Sequence, residues 1–65
     1  MYIARDKDGS LYLFQNRPVK IDERGCWRTL TNRFGWIILD SCLFSEVKWE
    51  DEEPTEVELV KKEKV

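Results

Sequence analysis

The chain predicts an all-β fold. The expected form is a small antiparallel bent sheet or partly open barrel of five to six short strands, with at most one short helical turn near 41–45. Three observations carry that prediction. Apolar and polar residues alternate with a period of two in several short runs, as half-buried strands require. Two β-prone runs flank an Asp-Gly ending, a strong local hairpin signal. A third run, Trp36-Ile37-Ile38-Leu39, is apolar on both faces, which reads as a central or doubly covered strand.

Tyr2 to Arg5 and Leu11 to Phe14 form the first hairpin, around Asp6-Lys7-Asp8-Gly9. Gly9 supplies the positive φ that such a turn needs. A three-residue loop pairs Ala4 with Tyr12 and a four-residue loop pairs it with Leu11, and the residues do not choose between them. Pro18 then interrupts the ladder. Val19 and Ile21 alternate with Lys20 and Asp22 as a short edge strand, and Asp22 to Gly25 is a turn. Cys26 to Leu30 and Phe34 to Leu39 suit a second hairpin around Asn32, which tolerates the left-handed conformation. Gly35 marks a bulge.

Asp40 and Ser41 are N-cap types, with Leu43, Phe44 and Val47 placed to line one helical turn. Val47 and Trp49 alternate with Glu46, Lys48 and Glu50, the pattern of a strand with one buried face. Glu50-Asp51-Glu52-Glu53 must be a solvated turn, because burying adjacent carboxylates costs more than packing returns. Pro54 ends it. Val57 and Leu59 then alternate with Glu56 and Glu58, favouring another strand. A helix over 55–64 is the competing reading, with Pro54 at its start and Lys61, Lys62 and Lys64 at its end. Residues 1–60 are expected to form one domain, and 61–65 a frayed tail.

At 65 residues, a domain buries only about 60% of the surface its unfolded chain exposes, so stability is marginal and dimerisation a plain remedy. Three Trp, three Phe and two Tyr argue for a packed core over disorder. No apolar run approaches the roughly 20 residues that span a bilayer, and MYIARDKDG lacks a signal-peptide stretch. The expected location is cytoplasmic. There Cys26 and Cys42 stay reduced, as small buried apolar side chains. The net charge of −2 divides unevenly, +2 over residues 1–40 and −4 over 41–65. Such halves attract each other in the fold or meet different partners.

Signals for chemistry are sparse. The chain has no His, which removes the commonest general base and metal ligand. Ser10, Ser41 and Ser45 stand in no nucleophile elbow, and no glycine-rich loop is present to cradle a phosphate. Asp6-Lys7-Asp8-Gly9-Ser10 has the look of an EF-hand opening, but the positions for the turn glycine and the bidentate Glu hold Leu11 and Arg17, so it is a turn. No enzyme activity, metal or cofactor is expected.

Two binding surfaces remain. Trp49 with Glu50, Asp51, Glu52 and Glu53 forms an apolar anchor beside an acidic run for a basic protein partner. Arg24, Trp27, Arg28 and Arg33 form the alternative, a basic and aromatic face for single-stranded nucleic acid, with core packing the first expectation for Trp27. A homo-oligomeric structural role is a third possibility. From Gly35 onward, Leu43-Phe44, Val47-Lys48-Trp49-Glu50-Asp51 and Pro54 before Val57-Glu58-Leu59 resemble the C-terminal part of small bacterial or prophage-type proteins of unknown function. That resemblance implies no activity, cofactor or catalytic residue. The composite expectation is a non-enzymatic protein-interaction module.

Overall fold

A computed structural model describes residues 1–30, 35–58 and 60. Six short strands follow in order: β1 (Tyr2–Arg5), β2 (Leu11–Phe14), β3 (Val19–Ile21), β4 (Cys26–Arg28), β5 (Trp36–Leu39) and β6 (Thr55–Glu56). They form an antiparallel four-stranded sheet, in order β5-β2-β1-β6, and a separate β3-β4 hairpin. The fold is all-β, and the sheets do not close into a barrel.

The first hairpin takes the three-residue loop, with Ala4 opposite Tyr12. Asp6 N–H donates to Ser10 O at 2.9 Å and Gly9 N–H to Asp6 O at 3.0 Å. Gly9, at φ 94°, is the left-handed residue that returns the chain into the ladder. The second hairpin joins β3 to β4 through Asp22–Gly25, with Gly25 at φ 68°. Lys7 N–H donates to Gly25 O at 2.9 Å, tying the two hairpin loops together. A Cβ at Gly25 would stand 3.0 Å from that of Lys7.

The sequence placed β5 in a hairpin with β4. It pairs instead with β2, Leu11 to Leu39 through Phe14 to Trp36. The register runs on unbroken to Gln15 N–H and Gly35 O at 2.7 Å, so Gly35 marks no bulge. Asn32 lies outside the described residues. Nor is β5 central: it is the terminal strand of its sheet.

Residues 40–51 depart further from expectation. Neither the helical turn at 41–45 nor the strand at 46–50 forms. Three consecutive turns cover the segment, closed by Leu43 N–H to Asp40 O (3.0 Å), Val47 N–H to Phe44 O (2.9 Å) and Asp51 N–H to Lys48 O (3.2 Å). Asp40 Oδ1 accepts from Cys42 N–H and Asp51 Oδ2 from Lys48 N–H, the local bonds by which Asp competes with helix and strand. Phe44, at φ 49°, cannot continue a right-handed helix. After Pro54 a strand forms, but only over Thr55–Glu56, which pair with Ile3 and Tyr2; it ends before Val57 and Glu58, where the alternation placed it, although Val57 N–H donates to Met1 O at 2.8 Å. Leu59 and 61–65 lie outside the described residues.

The core is two small clusters, one on each face of the sheet. Ile3, Leu11 and Val47 are buried on one face with Leu13, Leu39 and Val57 against them. Ala4, Phe14 and Trp27 are buried on the other, against Tyr12 and Trp49. Val47 and Trp49 thus serve opposite faces from an irregular segment.

Arg5 secures that segment. Its Nε donates to Val47 O (2.7 Å), Nη1 to Gly9 O (2.7 Å) and Ser41 O (3.0 Å), and Nη2 to Leu43 O (2.9 Å) and Phe44 O (3.3 Å). Lysine offers a point charge in place of this planar fork. Arg5→Lys is expected to cost about 2–4 kcal/mol in urea unfolding, with amide exchange rising first over 40–47. Loss below about 0.5 kcal/mol would show that the segment holds itself.

Candidate functional interface

The acidic run does not present four equivalent carboxylates. Glu50, Glu52 and Glu53 are exposed, whereas Asp51 is half-buried and closes its own turn on Lys48. Glu53 lies 3.7 Å from Arg17, an exposed pair of little energetic weight. Trp49 is half-buried and already has a cation: Lys20 Nζ sits 4.3 Å from its ring centroid. The same ammonium donates to Trp49 O and, at 3.1 Å, to Asp51 O. One face of the Trp49 ring is therefore covered from within the chain.

Trp27 is 5% exposed, a core residue. Its Nε1 donates to Arg5 O at 3.1 Å and its main-chain N–H to Asp6 Oδ1 at 3.0 Å. Arg33 lies outside the described residues. Arg24 and Arg28 share a shallow cleft with Lys7, but Asp6, Asp8, Asp22 and Glu23 line it too. Carboxylates outnumber cations there, which disfavours a phosphate backbone.

Beside it lies a cavity of about 320 Å³, lined by Asp6, Tyr12, Phe14, Trp27, Arg28 and Trp36 among others. Tyr12 and Trp36 meet edge to face, their centroids 5.4 Å apart. Burial pushes the Asp6 carboxyl above its ordinary range, against the opposing hydrogen bond from Trp27. Asp8 is shifted the other way, held down by the Ser10 N–H.

The largest exposed apolar surface on regular structure is the strand expected to be most buried. Trp36 is 48% exposed, Ile37 57% and Ile38 64%. Side chains alternate across the sheet, so Trp36 and Ile38 lie on the face of Tyr12 and Phe14, and Ile37 lies with Leu13 on the other. Ladder parity gives the backbone. Gln15 and Gly35 form a hydrogen-bonded pair, so Leu13–Ile37 and Leu11–Leu39 are hydrogen-bonded pairs too, and Phe14–Trp36 and Tyr12–Ile38 are not. The N–H and C=O groups of Trp36 and Ile38 therefore point out of the sheet, and no strand among the described residues pairs with them. The sequence signal was present, since a run apolar on both faces also describes an edge awaiting a partner. Cys42 is exposed and Cys26 half-buried, and both are free thiols, so neither is the fully buried side chain expected.

No known protein family, characterised protein or solved structure matches this chain.

Asp6→Asn tests the electrostatics. Because the folded-state carboxyl titrates above its ordinary value, its contribution is fully present below the unfolded pKa and is lost as pH rises through the folded one. The amide oxygen can still accept from Trp27 N–H. At pH 7 the variant should match or exceed wild type in urea unfolding, with the advantage shrinking as pH falls through the raised folded-state pKa and gone below about 4. A variant less stable at pH 7 than at pH 3, relative to wild type, would reverse that assignment.

Proposed function

We propose that this chain is a non-enzymatic protein-interaction module, working by strand addition at the outer edge of β5. One observation carries the reading: Trp36, Ile37 and Ile38 are exposed on an uncharged terminal strand whose alternate backbone groups face outward. Edge strands in monomers usually carry a Lys, a Pro or a bulge that blocks pairing, and β5 carries none. An added strand takes its affinity from the ladder and its specificity from alternate side chains. Trp36 replaces Trp49 and Trp27 as the aromatic anchor. Glu50 and Glu52 project into solvent and set orientation and on-rate for a basic flank of the partner.

The setting that fits is the bacterial cytoplasm, for a protein encoded by the bacterium or by a mobile element, in keeping with two unpaired cysteines. Among the described residues no helix is long and apolar enough to cross a membrane.

The test is capture of partners from bacterial lysate by the tagged chain, with and without nuclease, comparing wild type with Ile38→Lys. Protein retained after nuclease, insensitive to salt and reduced about tenfold or more by the lysine, is the expected result. Loss of everything on nuclease treatment, with steep salt dependence, would instead favour nucleic acid bound through Arg24, Arg28 and Arg33. Partners retained equally by Ile38→Lys would move the interface off β5.

A further inference from the structure

We infer that the strand added to β5 is β5 of a second copy, in antiparallel register about a two-fold axis at Ile37; this rests on reading β5 as the docking edge. The outward backbone groups belong to Trp36 and Ile38. A register with Trp36 opposite Ile38 of the second copy makes both meetings hydrogen-bonded pairs, four bonds in all, with Ile37 opposite its own counterpart between them. A two-fold axis normal to the sheet keeps each face in place, so the interface is isologous. On one face each Trp36 lies against the other copy's Ile38, an aromatic and β-branched pair of the kind that stabilises sheets. On the other face the two Ile37 side chains meet at the closer, non-hydrogen-bonded spacing.

Charge and apolarity favour this occupant. Trp36 to Leu39 hold no charged side chain, so two copies meet without like-charge opposition at the seam. A partner strand apolar on both faces is required, and β5 is itself such a strand. Side chains of about 180–250 Å² at the exposures of Trp36, Ile37 and Ile38 leave roughly 350 Å² open per copy. The sheet faces stay open when edges pair, so pairing covers at most about 700 Å² of side chain, under the roughly 1,000 Å² that marks a specific interface. The dimer is accordingly a weak one, dissociating in the micromolar range. Its sheet has eight strands, β6-β1-β2-β5 followed by the same four in reverse.

Sedimentation velocity on the purified full chain, from about 1 µM to about 1 mM, is the test, together with residue-resolved amide exchange at both ends of that range. The variant is Ile38→Pro, which removes an outward donor while sparing the ladder to β2; Ile38→Lys serves if the proline does not fold. Wild type should pass from monomer to dimer. The Trp36 and Ile38 amides should gain protection at least tenfold as it does, with Ile37 and Leu39 protected throughout, and the variant should stay monomeric. A monomer at the highest concentration with Trp36 and Ile38 exchanging freely overturns the dimer and leaves the edge open to another protein. A monomer with those amides protected overturns both readings, because the edge is then covered within the chain. A dimer that persists in the variant without protecting them places the interface elsewhere.

Discussion

Arg5 lies beneath the turn-built segment and gives every guanidinium donor to a main-chain oxygen, four of them between Ser41 and Val47. Residues 40–51 have no strand or helix ladder, so their carbonyls need partners from outside. An arginine fork supplies several at once. By fixing that path it delivers Val47 to one face of the sheet and lets Trp49 reach the other. Phe44 is held in the left-handed region, a position that costs about 1–2 kcal/mol for an L-residue, while its own carbonyl and that of Leu43 bond Arg5. Lys20 repeats the device at the end of the segment, through Trp49 O and Asp51 O. The basic first part of the chain does grip the acidic second part, through carbonyl oxygens. The carboxylates contribute one exposed pair among the described residues.

This division explains what was legible in the sequence. β1, β2 and β3 follow from local rules: alternation, an Asp-Gly turn, and glycine where φ is positive. The burial of Val47 and Trp49 was also visible as alternation. What alternation could not reveal is that an irregular run of turns, crossing from one face to the other, buries every second residue as a strand does. The bonds that select turns there, Asp40 to Cys42 and Asp51 to Lys48, are short-range but gain decisive support from Arg5, more than 35 residues distant. Nothing around Arg5 in the sequence marks it for that role.

β5 failed the reading for a different reason. Trp-Ile-Ile-Leu states that both faces and both edges prefer cover, without stating what covers them. Among the described residues the face of Phe14 is taken by Trp27, Trp49 and the β3-β4 hairpin, and the face of Leu11 by the turn segment. Two clusters of three buried residues are the whole described core.

A core so small and an edge so apolar are connected facts. Polar residues at 37 and 38 would leave both core clusters intact, because neither Ile37 nor Ile38 enters one. Nothing among the described residues covers them. The hydrophobic cost of leaving Trp36, Ile37 and Ile38 in water is several kcal/mol at about 25 cal/mol per Å², comparable with the net stability of a domain this size. Pairing of the strand, as proposed above, would offset part of that cost. The energetics of the fold and the docking edge proposed for β5 are in this sense one problem: an apolar strand at the end of a small sheet.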